Sequence, residues 1–335
     1  MITIRAKRSL SGRLVRRGVA ATAMAAALLG SVLLPGTAGA NPRISSTSDA
    51  DTTAELTFLR LSGPSRTIVS TADGTWVATF TDGARTVALA GRSRTFREPA
   101  VSATVTHGMW VRLLTTPFDG TVDLAWLNQA RIDSSPDVLA TALEYVAGAP
   151  LVTGATGTRS SGDASYGPLQ SDGTRQEGSD WNDYQQVVHT YGTQVDQPEP
   201  DQVGALDCSG YIRMVLGRRL GLPMSLDPNG THLPRRAVSM ASSAPGVITI
   251  PNQGTQVTDF RQLLPGDLVL FDAATDDGTS IDHVGMYLGR DDGGRYRFLS
   301  SRKSADGPTM GDVRGRSVLD GSGLYAASFR AVRRI

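Results

Sequence analysis

Cysteine is almost missing from this chain of 335 residues: Cys208 is the only one. A single cysteine excludes an internal disulfide. It also excludes a thiolate-rich zinc site, which needs several ligands at close spacing. Lysine is nearly missing as well, with Lys7 and Lys303 the only two, so arginine carries almost all the positive charge. Long uninterrupted apolar runs are lacking. The alanine- and leucine-rich stretch from Gly18 to Leu34 is broken by Gly30 and Ser31, closed by Pro35, and short for a permanent membrane span. No excess of positive charge survives beyond the first 40 residues. Those residues hold six basic side chains and no acid, which leaves 27 basic against 32 acidic residues and a charge of −5 for the rest. That balance argues against a nucleic-acid-binding surface.

What remains is a globular composition, 40% hydrophobic and 19% charged, enough for one or two domains. Residues 1–40 have the form of an export signal. A basic start precedes the apolar stretch, and Ala38-Gly39-Ala40 is a small-x-small cleavage site before Asn41. No cysteine follows it, which excludes a lipoprotein anchor. The expected location is therefore secreted, with no stable membrane span once the signal is cleaved. Residues 41–54, rich in Ser, Thr and Asp, read as a flexible tether.

From Leu56 to about Leu114 the pattern is β. Thr67 to Thr71, Asp73-Gly74 and Thr75 to Thr81 form a hairpin with a favoured turn, and Asp82-Gly83 makes a second turn. Val101 to Val105 and Met109 to Leu114 are further strand candidates. Residues 55–134 are thus expected to be a small β-rich accessory module. Ser135-Pro136-Asp137 opens a helix, with the proline in its first turn. Residues 153–205 read as a long polar loop, and residues 224–258 as irregular chain.

The chemistry centres on Leu206-Asp207-Cys208-Ser209-Gly210-Tyr211, which runs into a helix closed by Gly221 and Pro223. The partial positive charge at a helix start favours a thiolate. Cys208, Ile212, Val215 and Leu216 share one stripe. That fits a helix whose first turn opens onto a cleft, and it fits an inert core cysteine equally well. Of the four histidines, His107 falls in the β module, and His189 and His232 fall in loops. Only His283 opens an apolar strand, where its ring can be held rigidly. Asp207 reads as a helix cap, and Arg302, Lys303 and Asp306 as a solvated face.

Three segments then occur in order: Leu206-Asp207-Cys208-Ser209-Gly210-Tyr211, Leu264-Pro265-Gly266-Asp267-Leu268-Val269-Leu270-Phe271 and His283-Val284-Gly285-Met286-Tyr287-Leu288-Gly289. Together they resemble the NlpC-type cell-wall cysteine peptidases, over roughly residues 136–335. The resemblance implies an α+β chain: a papain-like catalytic domain at 135–335, with an N-terminal cysteine helix packed on an antiparallel sheet, behind the β-rich module. It implies Cys208 as nucleophile, His283 as base, and hydrolysis of peptidoglycan stem peptides, commonly between D-glutamate and the diamino acid. It implies no metal and no organic cofactor.

The sequence departs from the family pattern at two points. The third polar residue, usually His, Asn or Gln, is a serine here. The family position is Ser300, while a hairpin paired at Gly289 and Arg295 brings Ser301 opposite His283. A one-residue slip flips the face, so only one of the two reaches the ring. The family's Pro-Tyr segment is degraded to Pro150-Leu151-Val152, and Tyr166 or Tyr184 stands as its replacement. Substrate contacts are expected from Asp207, Ser209, Tyr166 and Tyr184. The alternatives are a catalytically silent wall-binding protein on the same scaffold, and amidase or acyl-transfer chemistry on the same pair.

Overall fold

The first sheet is set by glycines that only positive-φ turns require. Gly74 (φ +84°) and Gly83 (φ +78°) close two of its tight connections, where a side chain would be strained. In the computed structural model, residues 55–274 and 276–335 are described; the expected signal and tether, residues 1–54, lie outside the described residues. Strands β1 (Leu56–Leu61), β2 (Arg66–Thr71), β3 (Trp76–Thr81), β4 (Thr86–Phe96) and β5 (Val105–Leu113) form an antiparallel meander in sequence order. Val69, Phe80, Val87 and Leu89 pack beneath helix α1 (Leu124–Ile132) through Leu127. The two strand candidates between Val101 and Leu114 resolve into the single strand β5.

Helix α2 (Val138–Leu143) begins two residues after the proline expected in its first turn. Asp137 is its N-cap, accepting from Ala140 N at 3.0 Å, and Pro136 stands before the cap. The segment read as a loop, residues 153–205, carries order of its own. It holds the ribbon β6 (Val152–Thr153) and β7 (Arg159–Ser161), helix α3 (Trp181–Gln185), and the ribbon β8 (His189–Tyr191) and β9 (Gln194–Asp196). Its composition is polar because it forms short pieces, each anchored by side-chain hydrogen bonds rather than by an apolar stripe.

Helix α4 (Cys208–Ile212) continues as a π-helical turn, Arg213–Arg219, and stops where Gly221 (φ +78°) donates to the Gly217 carbonyl at 2.8 Å. Helix α5 (Ala237–Ser243) and strand β10 (Val247–Ile250) occupy the stretch read as irregular. Strands β11 (Leu268–Phe271), β12 (His283–Arg290), β13 (Tyr296–Arg302) and β14 (Gly307–Thr309), helix α6 (Leu324–Ser328) and strand β15 (Phe329–Arg334) complete the chain. The second sheet is antiparallel, in the order β10-β15-β11-β12-β13-β14.

Alternation along these strands sorts the apolar side chains onto two faces. Leu268, Leu270, Val284, Met286, Leu288 and Leu299 pack against α4 through Tyr211, Ile212, Val215 and Leu216. Val269, Phe271, Tyr287, Phe298, Phe329 and Val332 form a separate layer on the reverse face. The result is α+β, with the helix that starts at Cys208 packed on an antiparallel sheet, as the resemblance implies. Among the described residues, no helix is long and apolar enough to cross a membrane.

The two sheets are joined by buried polar contacts. Arg334 donates through Nε and Nη2 to Asp267, both at 2.8 Å, and through Nη1 to Thr81 Oγ1 of β3 at 2.9 Å. Glu98, just past β4, accepts from Thr309 Oγ1 and Met310 N at 2.8 Å each. His107 of β5 meets the Leu288 carbonyl at 2.8 Å. The Arg334–Asp267 pair is almost wholly shielded from water. Removing one partner of such a pair leaves an uncompensated buried charge. Asp267→Asn is therefore expected to lower stability by about 3 kcal/mol in urea unfolding; an unchanged midpoint would show that the pair is dispensable.

Candidate active site

Cys208 is the first residue of α4, and Asp207 before it is the cap. Asp207 Oδ1 accepts from Gly210 N at 2.7 Å and from the Ser209 hydroxyl at 3.1 Å. The Cys208 N–H donates to no described residue, so it is free for an incoming oxygen. The thiol is 7% exposed and lies 4.0 Å from the Asp282 carbonyl oxygen, one residue before His283. It borders a cleft of about 470 Å³ walled by Glu177, Arg235, Arg236, Ser280 and Asp282, among others.

The register of β12 and β13 decides between the two serines. Met286 pairs with Leu299 and Tyr287 with Phe298, but a bulge before Gly289 displaces the turn end of the hairpin by one residue. The Gly289–Arg295 pairing expected from sequence does not form; Gly289 pairs with Arg297, two residues further along β13. Extending the Met286–Leu299 pairing sets Gly285 opposite Ser300, with His283 on the same face. His283 Nε2 lies 3.1 Å from Ser300 Oγ, and both side chains are buried. Gly285 makes room for this approach, because a Cβ there would sit 3.1 Å from the Ser300 Cβ and 2.9 Å from Phe298 Cδ2. Ser301 faces the other way and donates to the Leu206 carbonyl at 2.5 Å. It does not touch the imidazole; it ties β13 to the residue just before the Asp207-Cys208 turn.

The other expected contacts separate. Tyr166 is buried beside the site and donates to Glu177 Oε1 at 3.1 Å. Burial pushes its hydroxyl pKa up, helped by the nearby Cys208, Asp207 and Glu177. Asp207 and Ser209 border the cleft, but Arg235 already occupies both: Nη2 reaches Asp207 Oδ2 at 2.7 Å and Nη1 reaches Ser209 Oγ at 2.8 Å. Tyr184 is corrected to a core residue. It is fully buried, donates to the Gly162 carbonyl at 2.9 Å and packs edge-on against Tyr145, away from the cleft. Trp181 is likewise buried, with Nε1 donating to the Tyr191 hydroxyl at 2.8 Å. Arg302 belongs to no solvated face. It is buried over the Tyr325 ring, and its guanidinium donates to the carbonyls of Gly315 (2.6 Å) and Gly311 (2.9 Å).

The electrostatics correct the expectation of a thiolate favoured by the helix start. Burial pushes the Cys208 thiol up to about 12, reinforced by Asp207 and Glu177 and opposed by the Val284 N–H and Arg235. Burial pushes His283 down to about 3, reinforced by Arg302 and opposed by Asp207. At neutral pH the resting pair is therefore thiol and neutral imidazole. Arg235 was invisible to motif reading because it lies in irregular chain 27 residues beyond the cysteine and acts through Asp207.

A group whose pKa falls on folding costs stability when the unfolded chain takes up its proton. Unfolded histidine protonates below about 6.5, whereas folded His283 does so only near 3. Its contribution is complete above about 6.5 and is lost as pH falls toward 3. Urea midpoints of wild type should therefore fall more steeply across this range than those of His283→Asn. The raised carboxyls of Glu98 and Asp183 titrate in both proteins and cancel in the comparison. Parallel profiles would overturn the buried neutral imidazole.

Residues 187–307 match the NlpC/P60 family. No curated protein matches the chain. Similar solved structures include an NLP/P60 family protein from Staphylococcus aureus, described as similar to lipoprotein. It is 17% identical, with 73% of this chain and 57% of that one covered at a TM-score of 0.28. NlpC2 from Trichomonas vaginalis is 13% identical, with coverage of 83% and 92% and a TM-score of 0.30. An NlpC/P60 family protein from Bacillus cereus is 14% identical, with coverage of 83% and 78% and a TM-score of 0.28. The chain spans 57% of the staphylococcal protein's length.

Proposed function

From the premise that residues 187–307 belong to the NlpC/P60 family, we propose that this protein is an exported cysteine peptidase. Its substrates are the stem peptides of peptidoglycan, cut between D-glutamate and the diamino acid. The family supports a cell-wall peptidase type of function in general. The observation that carries the reading to this chain is the His283–Ser300 hydrogen bond of 3.1 Å, on the strand against which Cys208 is docked.

In this mechanism the neutral His283 takes the proton of Cys208 as the sulfur attacks the scissile carbonyl carbon. The C–S bond forms, and the carbonyl electron pair moves to oxygen, toward the unpartnered Cys208 N–H. Collapse breaks the C–N bond, and the imidazolium returns its proton to the leaving amine. Water, deprotonated by the same ring, then hydrolyses the thioester. Ser300 holds the ring in one orientation throughout. Starting from a neutral pair, proton transfer occurs with the attack rather than before it.

The neutral pair also favours a second reading, in which the site is chemically silent and the protein only binds the wall. Purified peptidoglycan separates the two. Wild type should release fragments that mass spectrometry assigns to cleavage after D-glutamate, and Cys208→Ala should lose at least roughly 10⁴-fold of that rate. Undiminished digestion by Cys208→Ala would remove the thiol from the mechanism, and no digestion by wild type would favour the silent reading.

A further inference from the structure

A thiolate at Cys208 would have a poor neighbour in Asp207, a buried carboxylate on the adjoining residue, and another in Glu177 from the 153–205 segment. The structure places a cation against the first of these. We propose that Arg235 is a positioning residue of the thiol site: it fixes the residues on both sides of Cys208 and cancels the Asp207 charge beside the sulfur. This rests on the reading of Cys208 as the nucleophile.

Its contacts are specific. Arg235 forms a fork on Asp207, with Nη1 to Oδ1 at 3.1 Å and Nη2 to Oδ2 at 2.7 Å. The same two nitrogens reach Ser209 Oγ at 2.8 Å and the Gly178 carbonyl at 2.6 Å. Asp207 in turn accepts from Gly178 N at 3.1 Å and caps the helix through Gly210 N. One guanidinium therefore sets the helix start and the Gly178 wall of the cleft together. Asp180 is a second, more distant partner. Arg235 Nε is 3.6 Å from that carboxylate, whose two oxygens are taken by Arg213 Nε at 3.1 and 2.9 Å. Burial alone would raise the Asp207 carboxyl, but Arg235 and the backbone donors hold it below the usual carboxylate range, so it is charged and needs its partner.

The groups facing the sulfur come from every packed element. They are Asp207 on its own turn, Tyr166 and Glu177 from the 153–205 segment, Arg235 before α5, the Val284 N–H on β12 and Tyr325 on α6. Arg302 acts on His283 rather than on the thiol. Of these, Arg235 is the cation set against the sulfur.

The test reads the thiol directly, by the rate of Cys208 alkylation with iodoacetamide as a function of pH, so it does not depend on the substrate being peptidoglycan. Arg235→Met should move the profile to higher pH, with alkylation about tenfold slower at pH 8, and Arg235→Lys should recover part of the rate. Restoring the profile in Arg235→Met/Asp207→Asn would show that Arg235 acts by cancelling Asp207. On peptidoglycan, Arg235→Lys should reduce kcat more than it changes KM. A profile identical to wild type in Arg235→Met, with only the melting temperature lowered, overturns the proposal. If Arg235→Met does not fold, the double variant and Arg235→Lys decide: wild-type alkylation in the double variant with a depressed rate in Arg235→Lys supports it, and wild-type profiles in both overturn it.

Discussion

Consecutive residues on a strand point to opposite faces, and β13 uses that geometry to hold both halves of the site. Ser300 reaches His283 on one side, and Ser301 reaches the Leu206 carbonyl on the other. β12 pairs with β13 as far as Met286 and Leu299, and Ser300 to Arg302 pair with β14 on the other edge of β13. The helix start with its cysteine docks where that pairing ends.

Shielding from water explains the chemistry of the pair. A helix start offers a thiolate a partial positive charge worth well under one full unit. Against it stand burial and the carboxylates of Asp207 and Glu177. Desolvation wins, and it wins for the imidazole as well, which is layered among Phe271, Phe298 and Tyr325 with Arg302 behind. An uncharged serine as third member is consistent with such a ring. An aspartate there would favour an imidazolium, whereas Ser300 orients the ring without paying for its charge.

The sequence exposed what depends on local pattern. Asp73-Gly74 and Asp82-Gly83 marked turns because positive φ selects glycine, and Leu206 to Tyr211 marked a capped helix because Asp207 stands at the cap. It hid what depends on long-range fit. The hairpin pairs Gly289 with Arg297, two residues beyond the pairing expected from the turn, and a bulge shifts the rest by one, so neither serine stands directly opposite His283. Tyr184 looked like a cleft aromatic because its segment is polar, yet its hydroxyl closes a backbone contact in the interior. Arg302 looked solvated for the same reason; its partners are the carbonyls of Gly311 and Gly315, which sequence offers no means of pairing with it.

The β-rich segment also reads differently once its contacts are traced. Glu98 grips Thr309 and Met310, Thr309 pairs with Ser300 across β14 and β13, and Ser300 holds His283. Glu98 is a buried carboxylate whose pKa burial raises, and such a group is retained at a cost unless its position matters. The chain just past β4 therefore braces the strand that orients the histidine. Seen this way, the segment is part of the frame of the site, and changes at Glu98 should reach His283 through the Thr309–Ser300 pair.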